Sequence, residues 1–179
     1  MLRNNQIADN PKFIKWKKQF NAYLQNMIDE LQSDYLNELN LRIKINYDYV
    51  FNGGKSIWLA SYERRSRQIE QGVISIGINY PLFYKEMCKR NIDTNKFNIE
   101  AQARITIGHE VGHGLVDYIK QLNISSDILS KSPNLSIIKH CSIKKEEILV
   151  EEFGEWCFPY ATDTWSSVLA DALEELKNI

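Results

Sequence analysis

Residues 105–116 read Ile105-Thr106-Ile107-Gly108-His109-Glu110-Val111-Gly112-His113-Gly114-Leu115-Val116, an apolar run that encloses an H-E-x-x-H motif. On a helix of 3.6 residues per turn, His109 and His113 stand one turn apart on one face, so both imidazoles reach a single metal ion. Glu110 points to a different face. It is badly placed as a third ligand but well placed to hold and deprotonate a water bound to the ion, the division of labour of a zinc hydrolase. The plainer explanation is two structural histidines satisfied by hydrogen bonds. Against it, the chain has three histidines and two fall at this spacing. Gly108, Gly112 and Gly114 weaken the helix locally, yet they let another element come close and leave room around an ion.

Working outward, the motif helix is expected from about Ile99 to Gln121. Upstream of it, Val73-Ile74-Ser75-Ile76-Gly77-Ile78 is a β-branched run stopped at Asn79-Tyr80-Pro81, because proline has no amide proton and restricts the residue before it. Such a strand packs on the motif helix, and at a sheet edge it would also pair with an extended peptide. Leu82–Arg90 reads as a short helix and Asn91–Asn98 as a polar connection. Further upstream, Leu41, Ile43, Ile45, Tyr47 and Tyr49 alternate with polar residues, a strand with one buried face. Asn52-Gly53-Gly54 suits a tight turn, with Ser56–Tyr62 as a returning strand and Tyr62–Gln71 as a charged loop. From Pro11 to about Asn40, Phe13, Trp16, Phe20, Tyr23, Leu24, Met27, Ile28, Leu31, Tyr35 and Leu39 recur at three- and four-residue steps, the mark of an amphipathic helix or two in succession.

Downstream, Leu122–His140 is rich in Asn, Ser, Asp and Pro and reads as loop with short helical turns. A second helix begins near Ile143, capped by Ser142, and runs through Phe158 to Pro159. Its expected inward face combines Ile148, Val150 or Glu151, Gly154 or Glu155, and Phe158. Asp163–Leu176 is another amphipathic helix. Together these segments predict an α+β fold: a small twisted, mainly antiparallel sheet packed on the motif helix, with additional N- and C-terminal helices. The expectation is one domain over residues 1–179, with a helical segment at 1–40 and the sheet and metal-binding helices at 41–179.

Composition narrows the function. The chain has 179 residues, 44% hydrophobic and 25% charged, with a formal net charge of -1, a soluble globular make-up with no electrostatic case for nucleic acid as an obligatory partner. The basic cluster Arg64-Arg65-Ser66-Arg67 reads as a solvated loop. No apolar stretch reaches membrane-spanning length, and Met1–Asn10 is polar, so a cytoplasmic location without membrane is the expectation. Cys88, Cys141 and Cys157 are odd in number and scattered. They argue against a disulfide framework and read as small buried hydrophobes. Gly54-Lys55-Ser56 is not a phosphate loop, since the first glycine of that motif would fall at Tyr49.

A catalytic zinc takes three protein ligands and one water, which leaves one ligand to find. A metzincin-type third histidine would lie at position 119, which is Ile119, so that class is excluded. His140 sits in an expected loop. The acidic helix Glu146–Glu155 is the better source: Glu151 and Glu155 lie one turn apart, so Glu151 would bind the metal while Glu155 accepts the ring proton of a ligating histidine. Gly154 between them permits close approach. Glu147 and Glu152 remain alternatives for the ligand. Tyr118, His140 and Tyr160 are candidate oxyanion donors.

The order of these pieces resembles the ImmA/IrrE family of zinc metallopeptidases: a strand ending Ile76-Gly77-Ile78-Asn79-Tyr80-Pro81, then Ile105–Leu115, then Glu151-Glu152-Phe153-Gly154-Glu155-Trp156-Cys157-Phe158. The chain carries Glu155 where that family usually has Asn or Asp, and an insertion between strand and helix. The resemblance implies a gluzincin-like fold and site-specific cleavage of another protein, often a helix-turn-helix repressor. The expected function is zinc-dependent peptide hydrolysis, with Zn2+ on His109, His113 and Glu151, and Glu110 as general base and then proton donor to the leaving amine. Two readings compete: a non-catalytic interaction protein in which zinc only ties helices together, and a zinc hydrolase acting on a non-peptide bond.

Overall fold

A computed structural model describes residues 9–47, 59–63, 69, 71–89, 96–158 and 167–179. The turn at Asn52-Gly53-Gly54, the cluster Arg64–Arg67, and Pro159, Tyr160 and Trp165 lie outside these residues.

Helix α1 spans Pro11–Leu31. It starts where Asn10 caps it, accepting from the Lys12 amide at 2.9 Å, with Pro11 in the first turn where a missing amide proton costs nothing. Its Phe13, Trp16, Phe20, Leu24, Met27, Ile28 and Leu31 are buried, the stripe expected from the three- and four-residue steps. The chain continues through a π-helical turn, Gln32–Leu36, and enters β1 (Arg42–Tyr47) after Asn40, whose φ is 53°. Gly72, at φ 69°, precedes the Val73–Ile78 run. A Cβ there would meet the Asn40 carbonyl oxygen at 2.3 Å, so this close approach requires glycine.

The sheet is three-stranded in the order β1-β3-β2, with β2 at Ala60–Tyr62 and β3 at Val73–Ile78. It is mixed, where a mainly antiparallel sheet was expected: β1 runs parallel to β3 from Arg42↔Val73 to Tyr47↔Ile78, and β2 runs antiparallel to β3 from Ala60↔Ile78 to Tyr62↔Ile76. The returning strand therefore pairs with β3 and not with β1 as a hairpin. All six residues of β3 are buried, and β3 is the central strand. The expectation of a substrate-pairing edge at β3 is thus corrected. A continuous β-branched run is the signature of a strand covered on both faces and both sides, and β1 and β2 form the two edges of the sheet.

Asn79 accepts from the Leu82 amide at 3.1 Å, and α2 follows at Tyr80–Lys89, starting two residues before the expected Leu82. Helix α3 spans Lys96–Gln121 and carries the motif. The segment read as mostly loop holds two short helices, α4 (Ser126–Lys131) and α5 (Pro133–Lys139). The Lys139 ammonium closes the end of α3 by donating to the carbonyls of Ile119, Lys120 and Leu122. Helix α6 spans Ile143–Trp156, with Ser142 capping it as expected. Helix α7 spans Val168–Lys177, and its Glu175 accepts from the Asn134 and Leu135 amides at the start of α5.

Apolar residues from α1, the sheet, α3, α5, α6 and α7 form one buried cluster. The α+β expectation holds at this level. Arg104, buried on α3, ties three elements together: it donates to both Glu30 oxygens on α1 at 2.5 and 2.8 Å, to Glu100 at 3.2 Å, and to the Cys157 carbonyl at 3.3 Å. Among the described residues no helix is long and apolar enough to cross a membrane. All three cysteines are free. Cys157 is buried as expected, its thiol pushed well above its ordinary range by burial, whereas Cys88 is exposed and Cys141 half-buried.

Candidate metal centre

Helix α3 sorts its residues by direction. With His109 as origin and about 100° per residue, His113 and Lys120 fall at roughly 40° and 20°, Glu110 at roughly 100°, Gly114 at roughly 140°, and Gly108 and Gly112 at roughly 260° and 300°. The two glycines at the last angles meet α6: a Cβ on Gly108 would lie 2.9 Å from the Cys157 side chain, and one on Gly112 would lie 3.1 Å from Val150. Gly114 meets the sheet instead, 2.4 Å from Ile74 by the same measure. The histidine stripe thus looks into the crevice between α6 and the sheet. As α3 advances from 108 to 112, its contacts on α6 retreat from 154–157 to 150, so the two helices run antiparallel.

The start of α6 faces that stripe. His109 Nε2 lies 3.9 Å from Glu147 Oε2, and His113 Nε2 lies 3.7 Å from Glu147 Oε1. One ligand atom from each of His109, His113 and Glu147 lies within 4.8 Å of the others. Three ligands on a tetrahedral zinc, with bonds of about 2.0–2.1 Å, stand about 3.3 Å apart. The two His–Glu147 separations exceed this by a few tenths of an ångström, a closure the exposed Glu147 side chain is free to make, and the two imidazole nitrogens stand within 4.8 Å of each other. His109 is held toward its neutral form by burial first and then by its neighbour His113, against the opposing pull of Glu147 and Glu151. The neutral ring is the form that binds a metal.

Glu151, the expected ligand, is not in this cluster, and Glu147, the alternative, is. Each four-residue step turns about 40° around a helix. Glu147 sits at the rim of the buried face formed by Glu146, Leu149, Val150, Phe153 and Gly154. Glu151 lies about 40° further toward solvent and Glu155 about 80°, and both are exposed. The inward face predicted through Ile148 is corrected for the same reason: Ile148 is 50% exposed. The carboxylate that meets a histidine ring of the stripe on its far side is Glu146 and not exposed Glu155, with Glu146 Oε1 3.0 Å from His113 Nδ1 and Glu146 Oε2 accepting from Lys120 Nζ at 2.8 Å. Gly154 does allow the expected approach, since a Cβ there would lie 2.6 Å from the Ile105 carbonyl oxygen and 3.0 Å from the His109 nitrogen. Sequence reasoning missed Glu146. The available signal was Lys120, seven residues after His113 on the same face, which asks for an acid facing both.

Glu110 points toward the sheet and accepts from the Tyr62 amide at 2.6 Å. Burial raises its carboxyl above the usual carboxylate range, with the Tyr62 N–H and His113 opposing and Glu147 reinforcing. On β2, Leu59 accepts from Asn79 and Glu63 donates to Ser75, both toward β3. Alternation therefore turns the main-chain groups of Ala60 and Tyr62 to the side of β2 away from β3. That edge, the two histidines, Glu110, and Ile143, Glu146 and Glu147 enclose a cleft of about 440 Å³. Of the candidate oxyanion donors, Tyr118 and His140 do not line it: the Tyr118 hydroxyl donates to the Leu39 carbonyl at 3.3 Å, and exposed His140 lies at the end of α5 against Ser136, while Tyr160 lies outside the described residues. No protein-family model matches the chain, and neither a curated protein nor a solved structure matches it.

Proposed function

We propose that the chain is a zinc-dependent peptidase in which His109, His113 and Glu147 hold the ion and Glu110 is the general base. The observation that carries this reading is the convergence of those three ligand atoms beside a half-buried carboxylate in an open cleft. Zinc, when bound, supplies Lewis acidity and lowers the pKa of a water toward ~7. Glu110 stands beside the ligand pair rather than among it. There it accepts the water's proton and returns it to the leaving amine, a role suited to a carboxyl whose affinity for protons burial has raised. The Tyr62 amide orients that carboxylate and places it level with the outer side of β2.

That edge favours a peptide over a small molecule. An extended chain laid along β2 meets the outward main-chain groups of Ala60, and exposed Ile143 adds apolar surface at the mouth. The resemblance to ImmA/IrrE peptidases extends this to a folded regulatory protein, such as a helix-turn-helix repressor, as substrate. The purely structural zinc reading needs a fourth protein ligand, whereas the cluster has three residues among the described residues.

The test combines zinc analysis of purified protein with peptide-library cleavage by wild type and Glu110→Gln. The variant is expected to keep its zinc and lose at least about a hundredfold in kcat. Equal cleavage by both proteins, or a wild-type protein that holds no zinc, would refute the proposal.

A further inference from the structure

Glu146 is the one acidic side chain of α6 that is almost fully buried, 5% exposed, and it touches two different cations or cation-forming groups. One oxygen lies 3.0 Å from His113 Nδ1 and the other 2.8 Å from Lys120 Nζ. Lys120 itself is held at the far end of the same helix face. An ammonium only donates and a carboxylate only accepts. With one oxygen committed to Lys120, the other offers His113 an acceptor, so Nδ1 carries the ring proton. In the neutral ring, the form that binds a metal, Nε2 is then bare, and Nε2 is the nitrogen that faces Glu147 at 3.7 Å.

We propose that Glu146 and Lys120 form a clamp that fixes the tautomer and orientation of His113, and that Lys120 contributes by dictating which way the Glu146 head group is used. Both are positioning residues. The proposal rests on the metal reading for its consequence, but its core concerns a ring proton that exists with or without the ion.

Replacing Glu146 by glutamine makes the role of Lys120 visible. The amide keeps the shape and offers one oxygen and one NH2. Lys120 claims the oxygen, because only an acceptor satisfies it, and this turns the NH2 toward His113. Nδ1 must then accept, the proton moves to Nε2, and the ligand position is blocked. Removing Lys120 as well frees the amide to rotate and accept from Nδ1 again. The second substitution therefore repairs the first.

The experiment uses full-length wild type, Glu146→Gln, Lys120→Met and the double variant. Ring nitrogen shifts of His113 are read by ¹⁵N NMR in metal-free protein, and zinc affinity by competition with a chelator. Wild type is expected in the Nδ1–H form. Glu146→Gln should shift to Nε2–H with a loss of about 10- to 100-fold in zinc affinity, and the double variant should recover Nδ1–H and most of that loss. A wild-type ring in the Nε2–H form overturns the proposal even if Glu146→Gln does not fold. So does a Glu146→Gln protein with unchanged tautomer, or a double variant no better than the single. Should no protein bind zinc while the tautomers behave as stated, the metal reading fails and the clamp stands.

Discussion

Glu147 and Glu151 differ by one helical turn and about 40° of rotation, and that rotation separates a carboxylate facing two imidazoles from one facing solvent. The expected outcome of alanine substitution is correspondingly unequal. Glu147→Ala should weaken zinc binding at least tenfold, whereas Glu151→Ala, which only removes a nearby negative charge from His109, should change it by no more than about threefold. Isothermal titration of zinc into the metal-free variants measures both, and a larger effect at Glu151 would return the ligand role to that residue.

Between elements, the closeness of α3 and α6 depends on glycines facing each other across the interface. At Gly154 an added methyl group would strike backbone atoms, the Ile105 carbonyl oxygen and the His109 nitrogen, which cannot yield without separating the helices. Gly154→Ala is expected to cost about 1–3 kcal/mol in urea unfolding despite alanine's better helix propensity, and to loosen the histidine cluster. At Gly112 the neighbours are Val150 side-chain atoms at 3.1 Å. There a propensity gain of about 1 kcal/mol roughly offsets the crowding, so Gly112→Ala should stay within about 1 kcal/mol of wild type. If Gly112→Ala proved the more damaging of the two, this account of the interface would be wrong.

Across the whole molecule, Arg104 joins α1, α3 and the end of α6 through Glu30 and the Cys157 carbonyl. Its hydrogen bonds hold the Glu30 carboxyl below the usual carboxylate range, partly opposed by burial. A depressed folded pKa means that the stabilisation is complete above the unfolded value of ~4.3 and is lost as pH falls through the folded value. Glu30 is 56% exposed, so solvent screening limits the effect to about 1 kcal/mol or less. Wild type should therefore exceed Glu30→Gln in stability by that amount at pH 7, with the gap closing as pH drops below about 4. A gap independent of pH in urea titrations would rule out this ion pair as its source.

The starts of α1 and α6, the buried stripe of α1 and the His109–Glu110–His113 helix were legible in the chain itself, because a cap such as Ser142 and a 3.6-residue period are local properties. Periodicity cannot say which strand lies beside which. Thus β3 moved from a possible edge to the centre, between β1 and β2. Nor does it fix the rotational setting of one helix against another. Glycine contacts between α3 and α6 made that choice, and with it they selected Glu147 for the cluster, Glu146 for the buried clamp, and solvent for Glu151 and Glu155.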